Sequence, residues 1–327
     1  MRDRLITLLK VVISLGLTAW VFSRVHLADV GLQLASVNMW FFLAALLLYF
    51  VAIIVNAAKW QVLLRAQQVS IPFGPVVQFQ FIGAFFNNVL PANVGGDVMR
   101  GYWLARYTDR AADAAVSVIV DRIVGLMAYM SSAVLAAFLL VSLTGSTELR
   151  GVEWVALVAL LAMATGLAVL LSRRLRALIS VIFTWRWLAP LAPIWGRLSD
   201  AFNAYRFRID ALALAFGIAL VGIGCTALVN WCLSRSMGGL MPLSVILLFN
   251  PLIALVLMLP ISIGGLGVNQ TAYPFFYGLA GVPAGHAVAV SLLMQLVMIL
   301  GSLPGLVFWL LGRQKRSEGD GGRPAFD

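Results

Sequence analysis

The 327-residue chain is poor in charge: Asp, Glu, Lys and Arg make up 11% of it, against about 25% in an ordinary soluble domain. That shortage excludes a soluble enzyme and a disordered chain alike. Cysteine is scarcer still. Cys225 and Cys232 are the two present, both in an apolar run, so neither a disulfide framework nor a four-cysteine zinc site is available. His26 and His286 stand alone, with no H-x-x-x-H, D-x-D or C-x-x-C spacing, and no metal site is expected. There is no G-x-x-x-x-G-K-[ST] phosphate loop and no G-x-S-x-G elbow. A His/Asp cluster of the kind that phosphatase or acyltransferase chemistry needs is also missing. Neither enzymatic activity nor a cofactor is therefore expected. The chain is instead 62% hydrophobic, with a mean hydropathy of +0.97. That is the composition of an all-α, polytopic integral membrane protein.

A helix needs about 20 apolar residues to cross the hydrocarbon core. Six runs meet this standard: Leu5–Val25, Trp40–Ala58, Ala115–Leu143, Val152–Ser172, Ala211–Leu233 and Gly285–Leu311. The first lacks a small-residue cleavage site and reads as an uncleaved anchor. Two further apolar stretches, Pro75–Pro91 and Pro242–Pro260, run into Leu90-Pro91-Ala92-Asn93-Val94-Gly95-Gly96 and Leu259-Pro260-Ile261-Ser262-Ile263-Gly264-Gly265. Proline and glycine stop helices, and open backbone at membrane depth needs protein or water around it. Re-entrant broken hairpins are expected at about 75–100 and about 243–281. Let both hairpins return to the side they came from, with the N-terminus cytoplasmic. Of the 23 basic residues, all but Arg24, Arg150, Arg235 and the in-span Arg122 then face the cytoplasm. Full crossings would move the segments around Arg106 and Arg173 outside. The positive-inside rule favours the first arrangement, with both termini cytoplasmic. It also explains the net charge of +10 as a topology signal, and nucleic-acid binding is not expected.

Leu90 and Leu259 are 169 residues apart, about half the chain. Each half holds two spans, a hairpin and a third span. Three crossings is an odd number, so the halves, 1–145 and 146–312, are expected to form an inverted repeat. Such halves meeting at broken helices are a recurrent transporter plan. A cytoplasmic amphipathic segment occupies 173–210, where Trp195, Leu198, Phe202, Tyr205 and Ile209 recur at helical spacing. It lies either in the inner interface or against the cytoplasmic end of the bundle. The tail, 313–327, reads as disordered.

The candidate site residues are polar groups where polarity is expensive. Gly95 and Gly96 followed by a helix start would offer backbone N–H groups to an anion, and Arg100 would add a bidentate cation. Asp97 is a helix cap, a partner for Arg100, or a proton or cation site; the plainer alternative is a capped turn with a surface ion pair. Asp121 and Arg122 fall about 10 Å into a span starting near Ala115. They face a polar cavity, or else lie at headgroup level with Arg122 snorkelling. Being adjacent on a helix, they point about 100° apart and need not pair with each other. Asn87 and Asn88 precede Pro91, and Ser262, Gly264, Gly265, Asn269 and Gln270 form or follow the second break. They either line a headgroup cavity or satisfy backbone groups freed by the breaks.

Together these motifs resemble the lysylphosphatidylglycerol synthase transmembrane region, also called the flippase-like domain family. Lys59-Trp60-Gln61-Val62-Leu63-Leu64 is similar to its basic-Trp-x-x-Leu-Leu. Asn88-Val89-Leu90-Pro91 through Gly95-Gly96-Asp97 and Arg100 resembles its N-x-x-L-P…G-G-D-x-x-R signature. Ser117 through Asp121-Arg122 and Gly125 resembles S-x-x-x-D-R-x-x-G, and Leu259 through Gly267 resembles the second signature. The likeness spans about residues 5–312. After the second signature the family often has a basic-acidic pair, where this chain has Asn269-Gln270. The resemblance implies a helical bundle of a bacterial inner membrane whose leading role is lipid translocation. The chain has no room for the soluble synthase domain of the multidomain members. The expected function is thus a flippase for a lipid with a polar headgroup, anionic, aminoacylated or glycosylated. The alternative is a non-transporting subunit that recruits a separate lipid-modifying transferase. Membrane lipids, and in the second case that enzyme, are the expected partners.

Overall fold

The computed structural model describes residues 27–90, 95–144, 150–175, 192–257 and 265–317. The expected first span, together with His26, Pro91, Ser262, Gly264 and the tail beyond Ser317, lies outside the described residues. Among those described, every regular element is helical. They are α1 (Leu27–Ala35), α2 (Met39–Ala66), α3 (Phe73–Val89), α4 (Gly95–Thr108), α5 (Ala111–Thr144) and α6 (Arg150–Leu171). After these come α7 (Ala192–Phe202), α8 (Ile209–Ser236), α9 (Leu243–Leu257), α10 (Val268–Gly278) and α11 (Ala284–Ser317). Among the described residues, four helices are long and apolar enough to cross a membrane: α2, α5 over Ala111–Ala136, α8, and α11 over Ala284–Gly312. They cover the runs expected at Trp40, Ala115, Ala211 and Gly285, and α6 is helical over the run expected at Val152.

The helices overhang their apolar runs, because a helix continues until its backbone is capped or broken, not until polarity begins. α2 runs on to Ala66 and carries Lys59 and Trp60 with it. α5 starts at Ala111, four residues before the expected Ala115. α11 continues to Ser317, into the segment assigned to the tail.

α2 and α8 pack along each other at the centre. Their facing stripes are built from small residues: Ala45, Ala52 and Ala57 on one, Ala215, Ala219, Gly222 and Ala227 on the other, all buried. Small side chains let helix backbones approach where hydrophobicity alone gives no drive to associate. The opposite face of α2 exposes Leu43, Leu47, Val51 and Ile54, an apolar stripe at helical spacing that suits lipid contact. Gly301 and Gly305 make a second close approach, from α11 onto the Tyr49 ring and the Phe81 backbone. A methyl group at Gly305 would overlap the Phe81 carbonyl.

Both Leu-Pro…Gly-Gly motifs fall between two short helices that pack on each other, α3 with α4 and α9 with α10. At 1.5 Å per residue these four are about 17–26 Å long, short of the about 30 Å hydrocarbon thickness. Gly265 and Gly267 have φ of +77° and +80°, a left-handed backbone that favours glycine. This is how the second motif turns the chain into α10.

One plan occurs twice. α2 and α8 start at 39 and 209 and have 28 residues each. α3 and α9 start at 73 and 243, and α4 and α10 at 95 and 268. α5 and α11 start at 111 and 284 and have 34 residues each. The packing follows the same exchange: α3 lies on α11 as α9 lies on α5, α4 on α5 as α10 on α11, and α1 on α11 as α7 on α5.

Candidate functional site

The first polar site is a buried ionic cluster assembled by α2, α4 and α5. Asp121 is its hub, ten residues into α5 and so about 15 Å from the start of that helix. One carboxylate oxygen lies 3.1 Å from the Lys59 ammonium of α2, the other 2.8 Å from the Arg100 guanidinium of α4. All three residues are at most 5% exposed. Arg100 also binds Asp97 Oδ1 at 2.9 Å, donates to Gln80 Oε1 of α3 at 3.1 Å, and stacks over the Trp60 ring at 4.9 Å. Asp97 then hands its second oxygen to Arg122, 3.2 Å away. Three cations thus share two carboxylates.

Local sequence explains why the groups meet. The Trp60 indole N–H donates to Ser117 Oγ at 3.2 Å, which locks α2 against α5 one turn before Asp121. Gly125, one turn after it, lies beside the Lys59 ammonium, 3.4 Å from where a Cβ would sit. Ser117, Asp121 and Arg122 of S-x-x-x-D-R-x-x-G therefore serve the cluster, with Gly125 beside it. Gly96 lets α4 lie against α3, since a side chain there would overlap the Gly83 carbonyl and Asn87.

Two cavities flank the cluster. A polar one of about 210 Å³ lies among α2, α3, α4, α8 and α11, with Asn56, Gln80, Asn87, Asn88, Asp97 and Arg100 in its wall. An apolar groove of about 610 Å³ runs between α4 and α5, past Val98, Tyr102, Val118, Ile119 and Ile123, and its charged lining residues are Asp97 and Arg122. Asp97 lines both.

Seven of the eleven sequence-derived site residues that the structure describes fall at this cluster. Asn87, Asn88, Gly96, Asp97 and Arg100 line the polar cavity; Arg122 lines the groove with Asp97, and Asp121 sits behind both. Asp121 and Arg122 point to different partners, as their adjacency on a helix requires. Two expectations are corrected. Arg100 is buried rather than part of a surface pair, because α4 folds back onto α3 and α5. The Gly96 N–H is not open to an anion: Asn87 Oδ1 accepts it at 2.9 Å, and Asn87 thereby caps the break. Lys59 and Arg100, counted among the basic residues of the positive-inside reading, are ion-paired inside the protein. Asn88 bridges to α11, donating to the Met298 carbonyl at 3.1 Å and to Ser302 Oγ at 3.0 Å. Gly95 begins α4. Gly265, Asn269 and Gln270 line neither cavity. Asn269 donates to Gln295 at 3.3 Å, and Gln270 accepts the Gly267 N–H at 2.7 Å.

Sequence reasoning missed Lys59, Trp60 and Gln80 as site residues. A usable signal was present: a lysine beside a tryptophan, and a glutamine within an apolar helix, are costly unless partnered. In the amphipathic segment, Phe202 and Tyr205 are buried against α2 and α5, with the Tyr205 hydroxyl donating to the Leu63 carbonyl at 3.0 Å. Of the two placements expected for that segment, these residues take the one against the bundle.

Fold and site define a multi-pass helical membrane protein with a buried ionic cluster opening onto a lateral apolar groove. The chain belongs to the lysylphosphatidylglycerol synthase TM region family, whose model matches residues 7–305. It is similar to the UPF0104 membrane protein PH1989 of Pyrococcus horikoshii, 23% identical over 275 residues, which cover 79% of this chain and 82% of that protein.

Proposed function

We propose that the protein moves a lipid with a polar headgroup across a bacterial inner membrane, and that it does so as a transporter rather than as an enzyme. The observation that carries this reading is the pair of cavities sharing Asp97. An apolar groove of about 610 Å³ with charge at Asp97 and Arg122 suits an acyl chain below an anionic headgroup. The adjoining polar cavity, with its amides and Arg100, suits the headgroup itself. In this reading the α3/α4 and α9/α10 pairs are re-entrant hairpins, the doubled helix plan is an inverted repeat with six spans, and both termini are cytoplasmic. Rocking of the two halves about the α2/α8 contact would expose the shared wall to each leaflet in turn.

The test is leaflet exchange in proteoliposomes holding the purified full chain and headgroup-labelled anionic, zwitterionic and cationic lipids. A membrane-impermeant quencher reports the label that becomes accessible. Wild type is expected to exchange the anionic lipid fastest, and folded Arg122→Ala to lose at least tenfold of that rate. No exchange by folded wild-type protein sinks the transport reading and leaves the enzyme-recruiting subunit in its place. Unchanged exchange by Arg122→Ala sinks the site.

A further inference from the structure

The doubled plan has a chemical consequence in the second half. Transferring each cluster residue by the offset of its helix gives a definite counterpart. Trp60 of α2 corresponds to Asn230 of α8, and Gln80 of α3 to Asn250 of α9. Asp97 and Arg100 of α4 correspond to Gln270 and Tyr273 of α10, and Arg122 of α5 to Gln295 of α11. Three of these counterparts meet, and a fourth bonds to the neighbouring Asn269 of α10. Tyr273 donates to Asn230 Oδ1 at 2.8 Å, Asn230 donates to Asn250 Oδ1 at 3.2 Å, and Gln295 accepts from Asn269 at 3.3 Å. Asp97, Arg100 and Arg122 thus have neutral polar residues in their places, whereas Lys59 and the hub Asp121 are replaced by the apolar Val229 and Met294.

This second cluster is incompletely bonded. Asn250 Nδ2, Asn269 Oδ1, Gln270 Nε2 and the Tyr277 hydroxyl are buried without a hydrogen-bond partner, and their residues are at most 4% exposed. Pro274 adds to the deficit, since it lacks the N–H that would pair with the Gln270 carbonyl in α10. Asn269, Tyr273 and Tyr277 follow one another at spacing four, with Gln270 seven before Tyr277, so they share one face of α10. Tyr273 and Tyr277 stack at 5.5 Å, and Phe249, next to Asn250, packs on Tyr277 at 6.1 Å. Buried polar groups are normally paired, and a group of orphans points to a missing partner. An uncharged partner suits the site, because α9 and α10 carry no Lys, Arg, Asp or Glu to neutralise an ion. The orphans comprise donors, an acceptor and a hydroxyl. That combination complements hydroxyl groups, each of which donates once and accepts.

We infer that the face of α10 bearing Asn269, Gln270 and Tyr277, with Asn250 of α9, is a second ligand site for an uncharged, hydroxyl-rich group. The lipid-transport reading enters only in the source of that group, a glycolipid headgroup rather than a free sugar. Binding is therefore read directly, without transport.

The experiment uses the purified full chain in detergent micelles and native mass spectrometry. The probes are monoglucosyl diacylglycerol, phosphatidylglycerol and free glucose. Tyr277→Phe is the principal variant: its hydroxyl makes no protein hydrogen bond, so an unchanged melting temperature is expected. It is expected to weaken glycolipid binding at least tenfold and leave phosphatidylglycerol binding unchanged, while Arg122→Gln does the reverse. Asn250→Leu is expected to follow Tyr277→Phe, with melting as its check on folding. Glucose binding that Tyr277→Phe abolishes supports the site and makes its source a soluble sugar. Glycolipid binding unaltered in both second-half variants overturns the inference and assigns the orphans to water, as does equal weakening of both lipids. Failure of leaflet exchange, by contrast, touches only the transport reading.

Discussion

Replacing Asp121 by Asn isolates the electrostatics of the site, because the amide keeps the shape of the carboxylate and opens no cavity. The substitution leaves Lys59 and Arg100 buried, with Asp97 as the remaining carboxylate of the cluster. At about 3 Å and an effective dielectric near 20, each lost contact is an attraction of about 5 kcal/mol before desolvation is counted. Both cations stay desolvated in the variant, so the penalty is not recovered. Breaking one partner of a buried pair costs about 3–5 kcal/mol. At about 2 °C per kcal/mol for a chain of this size, the melting temperature falls by about 6–10 °C. Fluorescence-detected size-exclusion after heating measures it. Lys59→Met placed on top of Asp121→Asn removes one stranded cation, and the double variant recovers at least half of the loss. A single variant within about 1 kcal/mol of wild type would refute the reasoning, as would a double variant less stable than Asp121→Asn.

Two further outcomes follow from local geometry. Gly305→Ala forces α11 away from the Phe81 carbonyl of α3 and is expected to cost about 1–3 kcal/mol; an unshifted melting temperature counts against that close approach. Tyr205→Phe removes the bond to the Leu63 carbonyl, worth about 1 kcal/mol. Burial, then the charges of Asp121 and Asp113, push the Tyr205 phenol well above its ordinary value of 10.0. Its contribution is thus fully present below pH 10 and is lost as pH rises beyond that. Melting curves from pH 8 to 11 should show wild type declining more steeply than Tyr205→Phe above pH 10, and parallel declines would contradict this.

The membrane class and the helix breaks were legible because both are local. Apolar runs near 20 residues, and Pro and Gly in fixed order, act on the backbone that carries them. Pairing was not legible. Lys59 sits beside solvent-like loop positions in the sequence and was counted as a topology charge. Only the overhang of α2 against α5 brings it to Asp121. Arg100 had two apparent neighbours, Asp97 in sequence and solvent in space. The fold-back of α4 replaced solvent with Asp121, Gln80 and Trp60. Asn87 was legible as polar at a break, but its role as the cap of Gly96 depends on how α3 and α4 close. The neutral cluster shows the same division. Asn269 and Gln270 stood out in the sequence, whereas Asn230, Asn250 and Tyr277 joined them only through packing.

What the sequence determined by itself is the solvent and the punctuation: a chain this apolar has to put helices in lipid, and Leu-Pro…Gly-Gly has to interrupt two of them. Which charges neutralise which was decided by tertiary structure alone. An ion pair is a relation between distant positions, and its energy exists only once burial has removed water from both partners.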